Sequence, residues 1–314
     1  MKKEMEYIYA VYRYKSFSKA AENLFISQPA LSAIVKKTED ELQTPLFDRS
    51  THPIRLTQAG EYYIEQTERI ITIEKDMGHY FHDLQNLNTG TITIGAGSSV
   101  SSYFLSTLIG IFRKDFPKIS FNIREGSSPK LFDNWLKNSI VDLVFAIMPI
   151  GGDKCVHIPF MNELLILAVP KSATINESLK KYQLSYQDIR SRHHHNKDFP
   201  AVSLSNFAND AFIFPHEASD MYVRSTKMFE NAGIHPNITL QLDQNITSYF
   251  MTANNYGISI IRDNILDLVC DTKNIVFYKI DDPLSTRTLS VHYRKDHYLS
   301  KISQEFISYV KSVI

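Results

Sequence analysis

A run of seven residues, Ser27-Gln28-Pro29-Ala30-Leu31-Ser32-Ala33, carries side chains suited to the edges of DNA bases. Gln28 can form a pair of hydrogen bonds with adenine, Ser32 can donate or accept, and Ala30 or Ala33 can lie against a thymine methyl. Lys36, Lys37, Arg49 and Arg55 are cations suited to phosphate contacts, which position a protein on a duplex without reading its sequence. This chemistry needs the run to open a helix that faces outward, and the local signals supply one. Ser18 is a candidate N-cap for a short helix over residues 19–24, striped by Ala20, Ala21 and Leu24. Phe25 and Ile26 break the pattern. Ser27 is a second N-cap candidate, and Pro29 is tolerated in a first turn whose N–H groups lack intrahelical partners. Leu31, Ile34 or Val35, Thr38 and Leu42 can face inward, leaving Gln28, Ala30, Ser32, Ala33 and Lys36 outside. Two helices at a tight turn offer the second to the major groove.

A second constellation is Gly95-Ala96-Gly97-Ser98-Ser99-Val100, at the junction of a strand and a helix. Val100 stands where a dinucleotide fingerprint needs its third glycine, so nucleotide binding is disfavoured. Ser98, Ser99, Ser101 and Ser102 crowd a helix start, where free N–H groups and the helix dipole favour a carboxylate or phosphate. The competing reading is that these serines only cap the helix. Facing residues should come from the C-terminal ends of other strands: Ser127, Ser128, Met148, Pro149, His216, Asn245 and Thr247. His193-His194-His195 lies in the polar run RSRHHHNKDFP, which reads as a solvated loop. Adjacent histidines do not converge as a helical i, i+4 pair does, so no metal site is expected. The stretch 176–200 reads as a lid or a surface insertion. No nucleophile elbow, phosphate-binding loop or metal-ligand spacing occurs, so catalytic residues, an enzyme and a cofactor are not expected.

The elements around these residues fall into three stretches. Residues 1–57 carry the helical pair and a small basic wing. Residues 58–87 form a long helix with a seven-residue apolar repeat: Tyr63, Ile70, Met77 and Leu84 in one column, Gln66, Ile73, Tyr80 and Leu87 in the other. A helix of about 30 residues is roughly 45 Å long, and such a seam asks for a partner helix, the competing reading being a helix packed on its own globular domain. Asn88, Thr89 and Gly90 read as a hinge. From residue 91 to 314 strands alternate with helices, the pattern of parallel sheets covered by helices. The chain crosses near Asn162 into a second lobe, about 162–269, and the strands near Val276 and Leu289 return to the first lobe, about 91–161 and 270–314. A cleft between two lobes is a place for a small molecule.

The N-terminal stretch resembles the DNA-binding domain of LysR-type transcriptional regulators. The likeness rests on Ala20, Ala21, Leu24, Ser27, Gln28, Pro29, Ala30, Leu31, Ser32, Glu39, Leu42, Leu46, Phe47, Arg49, Leu56, Thr57, Ala59 and Gly60. Ala33 stands where members often carry a basic residue, which suggests more apolar base reading. The resemblance implies an N-terminal winged helix-turn-helix, a long dimerising linker helix and a C-terminal two-lobed α/β effector-binding domain of the periplasmic-binding-protein type. It further implies a homotetramer, built on homodimers, that bends double-stranded DNA and changes that bend on effector binding, with the Ser98 loop contacting the effector.

Composition agrees. A chain of 314 residues with 43% hydrophobic and 22% charged residues has room for about two domains. Net charge is zero, and residues 1–57 hold nine Lys or Arg against seven Asp or Glu, so DNA binding must rest on placement and on copies acting together. Cys155 and Cys270 are too few for a disulfide framework and read as packed thiols. The opening residues lack a clean apolar run and no stretch of about 18 apolar residues occurs, so neither a leader nor a membrane span is expected, and the cytoplasm is. The reading is a DNA-binding regulator with a small, anionic effector. The alternatives are a solute-binding protein of a transporter, a constitutive regulator without an effector, or a small-molecule enzyme.

Overall fold

Ile8, Val11, Ala20, Ala21, Leu31, Val35, Leu46, Phe47 and Ile64 cluster out of water, and this cluster fixes the N-terminal architecture. It is built by α1 (Lys3–Tyr14), α2 (Phe17–Asn23), α3 (Gln28–Glu41), a two-stranded wing β1 (Phe47–Asp48) and β2 (Arg55–Leu56), and the start of α4 (Gln58–Leu84). The computed structural model describes residues 2–84, 89–147, 149–217, 219–269 and 273–312; Leu87, Asn88, Met148 and Cys270 lie outside them. The helix-turn-helix caps differ from expectation at one end. Ser16, not Ser18, accepts from the Lys19 N–H at 3.4 Å and starts α2 two residues early, while Ser27 caps α3 by accepting from Ala30 N–H at 3.3 Å. Leu42 is exposed rather than inward, because α3 ends at Glu41 and Gln43 turns with φ 53°.

A tight contact sets α4 against the wing. Thr57 N–H donates to the Leu46 carbonyl and its hydroxyl accepts from Gly60 N–H, both at 3.0 Å. A Cβ on Gly60 would stand 2.0 Å from the Leu46 oxygen, so no larger residue fits. Farther along α4, Ile73, Met77, Tyr80 and Leu84 are exposed at spacings of four, three and four, an a/d stripe that the described residues leave largely open, with Tyr80 edge-on to Tyr298 at 5.7 Å. Tyr63 and Ile70, from the same columns, are half-buried. Lys137–Ile140 and Lys295–Lys301 belong to this unit: Lys75 Nζ donates to the Ser139 carbonyl at 2.8 Å, and Asp83 accepts from the Tyr298 hydroxyl at 3.0 Å.

In the second unit the chain continues through β3 (Gly90–Ala96) and a helical run of α5 (Ser98–Val100), a π-turn and α6 (Ser106–Asp115). Then come β4 (Ile119–Glu125), α7 (Pro129–Lys137), β5 (Leu143–Ala146), β6 (Cys155–Pro170), α8 (Ile175–Ser178), β7 (Gln183–Leu184) and α9 (Tyr186–Arg190). They are followed by β8 (Ala211–Pro215), α10 (Asp220–Asn231), β9 (Asn237–Leu242), α11 (Asn245–Ala253), β10 (Ile258–Arg262), β11 (Ile275–Lys279), β12 (Thr286–Arg294) and α12 (Lys301–Ser312). The strand order β4-β3-β5-β12-β6-β10-β8-β9 makes two sheets that share β6. Pairing is parallel in β4-β3-β5 and in β10-β8-β9, and antiparallel wherever β6 or β12 takes part.

The expected crossing near Asn162 is thus one unbroken strand of 16 residues. Its first part pairs with β12 and its last part with β10 and β11. Residues 164–170 of β6 are buried on both faces: Leu165, Leu167 and Val169 enter one apolar cluster, Leu164, Ile166 and Ala168 the other. The assignment of Val276 to the first lobe is overturned. β11 pairs with residues 166–170 of β6 and with β7, inside the second sheet, and the chain returns only at β12. The stretch 176–200 is no loose insertion either, since Asn176, Leu184, Ile189 and His194 are buried and β7 extends the sheet. Among the described residues no helix is long and apolar enough to cross a membrane.

Candidate DNA-reading helix and effector cavity

On α3, burial of Leu31, Val35 and Thr38 turns Gln28, Pro29, Ala30, Ala33, Lys36 and Lys37 to the outside; Ser27 is exposed at the cap and Ser32 is half-buried beside them. The cap leaves the first turn as a platform of small and amide side chains, the part of such a helix that reaches base edges. Arg55 is exposed on the wing. Arg49 is held instead: its Nη2 lies 3.0 Å from Glu39 Oε2, and its guanidinium sits 5.1 Å from the Phe17 ring centre. Glu39 also accepts from the Leu46 N–H at 2.7 Å, so this pair ties wing to α3. Sequence reasoning missed Phe25, which is 96% exposed in the turn before α3 with φ 54°. Its signal was an aromatic residue in the turn while smaller side chains filled the core.

The second unit holds a cavity of about 160 Å³. A cavity of about 150 Å³ takes a benzene ring, so a small ligand suits it. Four helix starts line it: Ser98 and Ser99 of the α5–α6 run, Ser127 and Pro129 at α7, Ser219 and Asp220 at α10, Gln244 and Asn245 at α11. Their free N–H groups bias the cavity toward negative charge. Phe132, Phe145, Ile147, Ile150, Ile213 and Ile260 supply apolar wall. Ser98 Oγ donates to Gln244 Oε1 at 3.1 Å across the cavity, while the Ser99 hydroxyl has no partner among the described residues. Asn245 spends its amide on structure, donating to the Ile260 carbonyl at 3.0 Å and accepting from Arg262 N–H at 2.9 Å.

Two arginines reach the wall from β10 and β12. Arg287 is buried and ion-paired with buried Glu163, and its Nη1 lies 3.0 Å from Asp220 Oδ2. Glu163 also accepts from the Tyr103 hydroxyl and from Asn264. Arg262 has no such carboxylate in contact, and its Nε is buried without a partner among the described residues. Burial, and then the Arg287 charge, push the Arg262 guanidinium below its ordinary range, against the pull of Glu163. An anion beside Arg262 would relieve both.

Two family models cover the chain: "Bacterial regulatory helix-turn-helix protein, lysR family" at residues 3–61 and "LysR substrate binding domain" at residues 85–314. The chain belongs to the LysR family of transcriptional regulators. A relative from Bacillus subtilis, the uncharacterised HTH-type transcriptional regulator YybE, is 25% identical over 309 residues, spanning 98% of this chain and 97% of its own. Two solved structures share the fold. Full-length CbnR, complexed with its target DNA, has a TM-score of 0.65 at 18% identity and covers 99% of each chain. The regulatory domain of Synechocystis CcmR, in complex with 2-PG, has a TM-score of 0.59 at 17% identity, over 72% of this chain and 97% of that one.

Within this LysR effector unit the cavity gathers only some of the residues singled out from sequence. Ser98, Ser99, Ser127 and Asn245 line it. Ser101 does not; it is buried, and its hydroxyl donates to the Gly97 carbonyl at 3.3 Å. Ser102 likewise donates back to the Ser98 carbonyl at 2.8 Å. Ser128 caps α7 by accepting from Leu131 N–H at 3.3 Å. The His216 side chain is exposed, and the wall passes from Pro215 to Ser219 without it; Thr247 also lies off the wall. Met148 falls outside the described residues. Arg262 and Arg287 went unread in the sequence because the first closes and the second opens an ordinary strand pattern.

Proposed function

We propose that this LysR-type regulator binds a partly palindromic DNA site as a dimer, reads bases from α3, and responds to a small anionic effector in the cavity. In this reading residues 1–57 bind DNA, residues 58–87 pair two copies, and residues 91–314 hold the effector. Gln28, Pro29, Ala30, Ser32 and Ala33 meet base edges, while Ser27, Lys36, Lys37 and Arg55 serve the backbone and Arg49, held by Glu39, positions the wing. The exposed stripe of α4 supports pairing of copies, and a homotetramer follows if dimers pair again. CbnR crystallised on DNA and the CcmR domain on 2-PG are precedents on the same fold.

One observation carries the effector class: Arg262 stands without a carboxylate partner where four helix starts converge. Ser99 and Arg262 then grip the anion, and the apolar wall takes the rest. The effector is released unchanged, so the cavity binds without turnover. To shift an equilibrium it must favour one arrangement of the assembly over another. The test is DNA binding by the purified protein, on the intergenic DNA beside its own gene and on random DNA, across a salt series. Small carboxylates and phosphates are then screened for a change in that binding. Sequence-selective binding altered by an anion is the expected result. Selective binding that no anion alters, with Arg262→Gln indistinguishable from the parent, would favour a constitutive regulator.

A further inference from the structure

We propose that His194, His195 and Asp263 form a site for one divalent transition-metal ion of zinc's type, separate from the effector cavity. The three side chains place one ligand atom each within 4.8 Å of one another. Adjacent histidines converge here because Arg192 takes a left-handed turn, φ 58°, into the 3-10 turn His193–His195. The run expected to be a solvated loop is therefore folded inward. His194 Nε2 lies 2.9 Å and His195 Nε2 2.6 Å from Asp263 Oδ2. His194 and Asp263 have no exposed side-chain surface, while His195 is 27% exposed and gives solvent a way in.

Two details ask for a cation between these atoms. His194 Nδ1 lies 3.3 Å from the Asp188 carbonyl, which only accepts, so that nitrogen carries the proton. A neutral ring then turns the Nε2 lone pair on a carboxylate oxygen, an arrangement that stands only with a proton or a metal ion in between. A backbone carbonyl behind the far nitrogen is also how metal-binding histidines are commonly oriented. The second detail is Asp263 Oδ1, which is buried without a partner among the described residues.

Two imidazoles and one carboxylate, with a fourth position for water, suit zinc-like ions. Metal bonds of roughly 2.0–2.2 Å need ligand atoms about 3 Å or more apart, so loading widens the present contacts slightly. Arg192 Nη1, 3.0 Å from Asp263 Oδ2, must yield. Its Nη2 already pairs with Asp267 at 2.9 Å, so it keeps a partner when it does. Asp188, Asp263 and Asp267 here outnumber Arg190 and Arg192, which leaves room for positive charge. Asp263 directly follows the cavity residue Arg262.

The test is a titration of metal-stripped, full-length protein with zinc against a chromophoric chelator, with cobalt as a spectroscopic substitute. One equivalent per chain is expected, with visible cobalt bands of a four-coordinate site. His195→Asn, at the exposed edge, should keep the fold by circular dichroism and weaken zinc at least tenfold, and Asp263→Asn should do the same if it folds. His216→Asn, far along the sequence, should change nothing. Absence of stoichiometric zinc, or affinity unchanged in His195→Asn, overturns the site and leaves a proton as the cation between ring and carboxylate.

Discussion

At the scale of single residues, labour on both surfaces divides, in the proposed reading, between groups that choose and groups that hold. Gln28 is exposed on the first turn of α3, and one bidentate base contact discriminates by about 1–3 kcal/mol. Gln28→Ala should therefore shrink the ratio of specific to random DNA binding by roughly tenfold or more, measured by fluorescence anisotropy; equal losses on both DNAs would sink the base-reading role. Lys36→Ala should instead weaken both alike and lower the salt slope by about one. In the cavity, a hydrogen bond to a charged group is worth about 1.5–3 kcal/mol. Arg262→Gln should accordingly cost an anionic effector roughly tenfold to a hundredfold in affinity by calorimetry, and unchanged affinity would remove Arg262 from the site. Helix α3 and its exposed face were legible in sequence because cap, proline and most buried positions lie within one helix. The cavity was half legible: Ser98, Ser99, Ser127 and Asn245 sit at strand ends, where open sheets place ligands. Arg262 and Arg287 were not, because their importance depends on which carboxylates the fold brings near them.

At the scale of elements, α4 does two things with one helix. Its first turn is pinned to the wing by Gly60, where an added Cβ would meet the Leu46 oxygen at 2.0 Å. Overpacking of this kind costs about 1–3 kcal/mol or more, so Gly60→Ala should lower the melting temperature measurably and weaken DNA binding. An unchanged melting curve would mean that the wing yields freely. Farther on, Met77→Glu puts charge into the exposed a/d stripe, and sedimentation should show smaller assemblies than the parent at equal concentration. Identical assemblies would place the pairing surface elsewhere. The heptad was legible because its period is set by the helix itself. The histidine run was misread for the converse reason. Polar composition suggested solvent, but His194 is buried by Asp263, which lies 69 residues further along the chain.

For the molecule as a whole, acid should loosen the effector unit through one residue. His292 on β12 is buried, donates from Nε2 to the Ala146 carbonyl on β5 at 3.2 Å, and accepts at Nδ1 from the His157 Nδ1–H on β6 at 2.7 Å. Burial first, and the neighbouring His157 after it, push its pKa down to about 4, with the Ala146 bond opposing. An unfolded histidine titrates near about 6.5. Between those values the unfolded chain binds the extra proton, so this contribution is complete above about pH 6.5 and is lost as pH falls toward 4, by about 3 kcal/mol at most. The melting temperature of the parent should then fall more steeply than that of His292→Gln over this window; parallel curves would exclude His292. The two lobes and the crossing near Asn162 were foreseen, since β6 changes partners between Leu164 and Leu165, but the return was placed too early, because nothing in the sequence of β11 shows that it pairs with β6 and β7. That shared strand has a practical consequence. Lobes joined by separate crossovers could be exchanged between relatives as cassettes, but here any splice near Asn162 cuts a strand that both sheets need. Chimeras of this regulator should survive only when β6 and β12 travel together from one parent.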